Sequence, residues 1–385
     1  MSSVTQFWVD KVAENCIDLY NRLPKNGKPA KNQWTVLSCF LKYDKRTNDI
    51  EVVSLGTGSK CIGATKMSPK GDMLNDSHAE IFARRSFIIY LYDNIEKAIK
   101  HECSIFEKIE NRFKLKEYVE FIFYSSQLPC GDASIVPKNG DQKVGDDVHR
   151  TGAKCLPNST QDLKGPGKEY HVLGQARTKP GRGDRTLSMS CSDKIARWIH
   201  TGAHGALLDI LCDPVRIKYV VIGGGVPYSE ESLHRAFIGR NKDYVINKEI
   251  VPEFHQSSVE FPYIRRKNSK PTASSIVWVK LRDPILEVAV LGKKLGITKK
   301  RLESMCSSLC ISKYNLYKRF MNILFKDEEL KSSVIGAEDV GSIPYNVMKK
   351  KSERYVKTWL MVKENFFKIW TVKFKIIIDF NIFWN

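Results

Sequence analysis

"GDMLNDSHAEIFARRSFIIYLYD", residues 71–93, sets a histidine and a glutamate two positions apart, behind an Asn-Asp-Ser turn and ahead of an apolar run that carries two arginines. On a regular helix such positions diverge by about 200°. His78 and Glu80 therefore converge only if a helix starts at this point, with Asn75, Asp76 and Ser77 as capping residues over its free N–H groups and the positive end of its dipole. Taken alone, His-x-Glu fits a solvated or capping histidine as well as a metal ligand. Further out, "YVEFIFY" (118–124) and "YVVI" (219–222) read as buried strands, each beside a helical segment. "WTVLSCFLKYD" and "IEVVSLGTG" read as a hairpin joined by a polar turn. Alternating strands and helices imply an α/β core with helices packed on a sheet.

Upstream of the hairpin, Val9, Val12, Ala13, Cys16, Leu19, Tyr20 and Leu23 recur at helical spacing until "LPKNGKP" stops the pattern. Downstream, residues 140–184 are poor in apolar side chains and rich in Gly, Pro, Lys and Arg, as in "RTKPGRGDR". A loop of that length is functional or disordered. From Thr298 onward, "TKKRLESMCSSL", "ISKYNLYKRFMNILF" and "YNVMKKKSERYVKTWLMV" read as basic helices docked on the same sheet. No internal repeat or biased linker divides the chain.

The balance of 62 Lys and Arg against 43 Asp and Glu, a formal charge of +19, favours polyanionic partners such as nucleic acid. The first residues lack the basic and apolar regions of a secretory signal, so an intracellular protein, in nucleus or cytoplasm or both, is expected. Ten cysteines without short regular spacings argue for buried thiols and a few ligands rather than a disulfide framework. Lys368, Lys373, Lys375 and Asp379 interrupt the apolar C-terminal tract, so no membrane span is expected.

Two further fragments carry thiols. "FIFYSSQLPCGDAS" ends a strand at Pro129-Cys130-Gly131, where a helix N-terminus would favour the thiolate. "DRTLSMSCSDKIARW" places Cys191 among serines that would cap a helix beginning near Ser192. His78, Cys130 and Cys191 are thus read at three helix starts. A catalytic zinc takes three protein ligands and leaves one position for water, and Glu80 would shuttle protons, the arrangement of a zinc nucleobase deaminase. Cys61 and Cys155 are the candidates for a fourth ligand if the zinc were structural instead.

"NDSHAEIFARRSF", "PCGDASI" and "MSCSDKIARW" resemble the adenosine-deaminase domain shared by RNA-editing enzymes and the enzymes that act on tRNA beside the anticodon. The wider superfamily has P-C-x-x-C, whereas here Asp132 and Ala133 follow Gly131 and the second cysteine lies far downstream at Cys191, the mark of the adenosine-to-inosine branch. The resemblance implies a single α/β, cytidine-deaminase-like three-layer core at residues 33–370, with an N-terminal helical extension at 1–32, extra C-terminal helices and an atypical tail at 371–385. It implies His78, Cys130 and Cys191 as zinc ligands and Glu80 as proton shuttle. Ser59 and Lys60 match the segment that touches the target nucleotide, with Ser59 standing where threonine is usual. It also implies a buried inositol hexakisphosphate, matched by Asn75, Arg84, Arg85, Lys194, Arg197, Lys313, Tyr345, Lys349 and Tyr355, with Trp359 and Trp370 beside them. Asp76 and Lys194 would link that ligand to the zinc site.

The segments "LGTGSKCIGATKM", "HRTGAKCLP" and "KPGRGDRTLSMSCSDKIARW" resemble the tRNA-acting branch more closely, and residues 1–32 are too few for a double-stranded-RNA-binding module. The expectation is a monomer acting on the anticodon loop of alanine tRNA, with the "RTKPGRGDR" loop on the RNA backbone. An editor of double-stranded RNA and a catalytically silent tRNA-binding relative are the alternatives. After Trp370 the family pattern expects a polar, acidic tail. "TVKFKIIIDFNIFWN" departs from it, with a composition that AT-rich coding from an altered exon produces.

Overall fold

The computed structural model describes residues 4–137, 148–149, 151–165, 168–181, 183–336, 343–372 and 379–381. Its centre is an eight-stranded mixed sheet in the order 253–260, 219–224, 119–125, 37–44, 49–57, 274–279, 285–290 and 293–294. The hairpin predicted from sequence is there, with Leu37–Asp44 antiparallel to Asp49–Thr57. Tyr219–Gly224 runs parallel to both Val119–Ser125 and Glu253–Glu260. These strands read as unbroken apolar runs because both faces are covered. Leu37, Cys39, Leu41, Ile122 and Tyr124 face helix α1 (Gln6–Arg22), through Val9, Val12, Ala13, Cys16 and Tyr20. Phe40, Val53, Phe121 and Phe123 point the other way, toward α2 (Ala79–Ile99) and α3 (Cys191–Thr201). Helix, sheet and helices make three layers.

α4 (Ala206–Leu211) and α5 (Glu230–Phe237) follow on the α2 side, then α6 (Lys313–Phe325), α7 (Glu328–Ile335), α8 (Tyr345–Lys350) and α9 (Glu353–Val362). No helix among the described residues is long and apolar enough to cross a membrane. One predicted helix is absent. "TKKRLESMCSSL" forms only the 3₁₀ turns Lys299–Arg301 and Met305–Ser307. Its serine hydroxyls bond the Arg301, Leu302 and Asp72 carbonyls, which draws the backbone out of a helical ladder. The loop 140–184 also holds short strand pairs, such as Lys154–Cys155 with Arg177–Thr178. Of the tail, Thr371 donates to the Leu187 carbonyl at 3.0 Å, and Phe380 stacks on Tyr345 with centroids 4.9 Å apart. The other tail residues apart from Val372, Asp379 and Asn381 lie outside the described residues.

Candidate active site

Two close backbone approaches assemble the site. A Cβ on Gly56 would stand 2.5 Å from the Ala79 carbonyl and the Ala83 nitrogen, so only glycine lets α2 lie this close to the sheet. The strand Ser59–Cys61 then pairs with Asp76–His78, Ser59 opposite His78, and hangs the start of α2 over the sheet end. Gly131, at φ +108, packs where a Cβ would meet the Ser190 hydroxyl at 2.2 Å, and this draws Cys130 against Cys191.

His78 is the N-cap of α2, in extended geometry and without a side-chain capping bond. The expected capping by Asn75, Asp76 and Ser77 gives way to another use of Asp76. Its carboxylate accepts from the His78 backbone N–H at 3.1 Å and pairs with Nδ1 at 2.8 Å. Nδ1 is thereby committed, and Nε2 is the ring nitrogen left for a metal. Burial and Lys179 oppose a charge on this ring, yet Asp76 and Cys130 outweigh them and push His78 up to about 9. Glu80, 3% exposed, keeps Oε2 without a hydrogen-bond partner. Burial raises its carboxyl above the usual range against the pull of Lys179 and His78.

Cys130 does not begin an α-helix as expected; it precedes a single 3₁₀ turn, Asp132–Ser134. Cys191 is the first residue of α3, one position before the expected start, and Ser190 caps that helix by accepting from the Asp193 N–H at 3.2 Å. The Cys191 N–H donates to Cys130 Sγ at 3.4 Å. Between these groups stands Lys179, which the sequence reading missed. Its Nζ lies 2.9 Å from Cys191 Sγ and 3.5 Å from both Cys130 Sγ and Asp76 Oδ2. The bond from Cys191, with Lys179 and His78, holds Cys130 well below the ordinary thiol range. Burial and the neighbouring Cys130 push Cys191 the other way.

The structure thus brings His78, Glu80, Cys130 and Cys191 to one largely buried cluster around Lys179. Among the described residues no group of three His, Cys, Asp or Glu already stands at metal-binding spacing. The donor types are nevertheless those of a three-ligand zinc site: one imidazole whose other nitrogen is anchored by Asp76, and two cysteine sulfurs. The alternative fourth ligands are engaged elsewhere, Cys61 with the Asn75 carbonyl at 3.1 Å and Cys155 beside Asp162. Ser59 presents a buried hydroxyl without a partner next to this cluster.

Behind it lies a cavity of about 560 Å³, and every residue matched to the polyphosphate lines it: Asn75, Arg84, Arg85, Lys194, Arg197, Lys313, Tyr345, Lys349, Tyr355, Trp359 and Trp370. The Arg197 guanidinium lies 3.8 Å from the Trp359 ring centroid, and Trp359 meets Trp370 edge-on at 4.8 Å. Arg85 Nη2 and Arg197 Nε are buried without partners. Burial, with repulsion from Arg197 and Arg85, lowers Arg84 to about 10, and Arg197 and Arg84 bring Tyr355 down to about 8 against its burial. Cations packed this way need a multivalent anion, so the cavity fits the implied ligand. Lys194 Nζ bonds Asp76 Oδ2, which joins the cavity to His78 through one carboxylate.

The sequence profile of the adenosine-deaminase (editase) domain matches residues 54–374. The chain belongs to this family. It is 35% identical to tRNA-specific adenosine deaminase 1 of Drosophila melanogaster, over 97% of each chain, and 33% identical to the Mus musculus protein of that name, over 91% of this chain and 95% of that one. It is also 31% identical to the double-stranded RNA-specific editase Adar of Drosophila melanogaster, over 76% of this chain and 44% of that protein.

In this editase domain the "RTKPGRGDR" loop turns two of its cations, Arg177 and Lys179, inward. Arg177 is fully buried, with a two-pronged bond to Asp162 at 2.6 Å on each arm. Lys179 turns into the active site, and Asp184 accepts from the Thr65 hydroxyl at 2.6 Å. Arg185 remains exposed, and Arg182 lies outside the described residues. Nothing local in the sequence separates the inward cations from outward ones, because their partners Asp162, Asp76 and Cys191 come from distant segments.

Proposed function

We propose that this chain is a tRNA-specific adenosine deaminase that converts the adenosine 3′ of the anticodon in alanine tRNA to inosine. The observation that carries this reading is end-to-end similarity to tRNA-specific adenosine deaminase 1, joined to the convergence of His78, Glu80, Cys130 and Cys191. This chain covers only 44% of the length of the double-stranded-RNA editase.

In the proposed reaction, water adds to C6 of the extruded base, the C6–N bond breaks, and inosine and ammonia leave. His78, Cys130 and Cys191 would hold zinc, which when bound supplies an acidified water. Glu80 passes one proton from the attacking water to the ring nitrogen beside C6 and then carries the proton of the new C6 hydroxyl to the departing amine, a role suited to a carboxyl that burial holds above its usual range. Asp76 fixes the His78 ring, and Lys179 balances the charge on the sulfurs. Ser59 and Lys60 would meet the nucleotide, a reading supported by their strand's pairing with the one that carries His78. Inositol hexakisphosphate in the cavity would supply the anion that Arg84, Arg85 and Arg197 lack.

The test is inosine formation at the base beside the anticodon in alanine tRNA, comparing the native protein with Glu80→Ala and running a long RNA duplex in parallel. Inosine in tRNA alone, lost on substitution, is expected. Activity confined to the duplex would replace this reading with an RNA editor. Absence of activity in zinc-loaded protein would replace it with a binding protein.

A further inference from the structure

Between Asp18 and Asp44 the sequence has no acidic residue, and between Glu260 and Asp283 it has none either. The fold joins these two acid-free stretches. Gln33–Trp34 pairs in parallel with Lys270–Pro271, the Lys270 N–H donates to the Asn32 carbonyl at 2.9 Å, and the Thr35 N–H donates to the Tyr263 carbonyl at 3.0 Å. Exposed Lys25 and Lys31 on one segment thus stand with exposed Arg265, Arg266, Lys267 and Lys270 on the other. Arg266 has one acidic neighbour, Glu260 at 3.4 Å, with both side chains largely in water, where such a pair contributes little. The other five have no acidic partner among the described residues.

The cations sit on shaped turns. The Arg266 N–H donates to the Ser269 hydroxyl at 2.9 Å, the Ser269 N–H returns to the Arg266 carbonyl at 3.1 Å, and Gln33 closes the facing turn on Ala30. Between the turns lies a groove of about 560 Å³, walled by Pro29, Lys31, Tyr263, Arg266, Lys267 and Ser269. Arg265 lies 6.0 Å from the Trp34 ring centroid.

Its place in the fold gives the groove meaning. Leu37 and Ser126 exchange hydrogen bonds a few residues before Cys130, and Val36 accepts from Gly58, next to the Ser59 that pairs with His78. The chain therefore enters the sheet at the end where the active-site segments leave it. Trp34, three residues before Leu37, lies within about 10 Å of that edge at the usual strand rise. We propose that the turns 29–33 and 263–270 form a second docking surface, outside the catalytic site, that holds the phosphate backbone of a folded RNA while one of its loop bases occupies the site. The proposal rests on the tRNA reading above and adds where the rest of that RNA lies.

Affinity of the full-length protein for a folded alanine tRNA transcript, measured by fluorescence anisotropy across salt concentrations, tests this without needing turnover. For Arg265→Ala/Arg266→Ala/Lys267→Ala, Kd should rise about tenfold or more at 0.1 M salt, and the slope of log Kd against log salt should fall by about 2 to 3. The charge-keeping variant Arg265→Lys/Arg266→Lys/Lys267→Arg should retain the native slope, and kcat on an isolated anticodon loop should be the same in all three proteins. Unchanged tRNA affinity and slope in the alanine variant would overturn the proposal even if inosine is made. So would equal loss in the charge-keeping variant, or loss of binding to phosphatidylserine vesicles with tRNA binding intact. Patch-dependent tRNA binding without inosine would sustain the surface and overturn the catalytic reading instead.

Discussion

Glu80 keeps one carboxylate oxygen unpaired at a depth where carboxylates are ordinarily satisfied, a cost that folding alone does not explain. Glu80→Gln preserves its shape and removes its proton chemistry. Inosine formation should drop by about 10²- to 10⁴-fold. Thermal stability, read by calorimetry, should not fall, since a buried unpaired charge is removed. Lys179→Met has the opposite profile. It strands Asp76 and the Cys130 sulfur without their cation, and a denaturant titration should show a loss on the order of 3–5 kcal/mol. Equal stability would mean that Lys179 is not the clamp its distances describe. The same two residues show what sequence could carry. Glu80 was legible because His78 stands two positions away. Lys179 was not, because it acquires meaning only when the chain returns from residue 179 to residues 76, 130 and 191.

α3 serves the catalytic cluster and the cavity at once. Cys191 faces the former, Lys194 and Arg197 face the latter at helical spacing, and Ile195 and Ile199 anchor the helix in the core. Its last turn carries His200, buried, with Nε2 on the Phe237 carbonyl at 2.9 Å and Nδ1 near the Tyr244 hydroxyl. Burial, aided by Arg216 and Arg240, lowers it to about 4. The unfolded chain takes up a proton near pH 6.5 that the folded one refuses. Stability from this group is therefore complete above pH 6.5 and lost as pH falls toward 4, an amount on the order of 3 kcal/mol. Chemical denaturation of His200→Gln at several pH values should show a flatter profile in that window; an unchanged profile would assign the acid sensitivity elsewhere. Elements with apolar periodicity, such as α1 and the central hairpin, were legible from the chain alone. The stretch after Thr298 was misread as helix because its serines spend their hydroxyls on backbone carbonyls, a competition that charge and spacing do not display.

At the scale of the molecule, the cavity gathers Arg84, Arg85 and Arg197, and Arg85 and Arg197 keep buried nitrogens without partners. Protein stripped of anions should gain about 2.7 kcal/mol when inositol hexakisphosphate is added at a hundred times its Kd, read as a rise in Tm. Arg197→Ala, which also removes the stack on Trp359, should reduce that gain; a full response in the variant would place the ligand elsewhere. Family resemblance made these residues legible one by one, together with the link through Asp76 and Lys194, and the structure joins Lys194 and the His78 ring on that one carboxylate. The wall of the cavity draws on residues from Met73 to Val372. During synthesis, Arg84 and Arg85 leave the ribosome long before Tyr345, Tyr355 and Trp370 exist to enclose them. The cavity thus closes only after Trp370 has been made, and until α8 and α9 arrive the growing chain carries an incomplete and strongly repulsive centre.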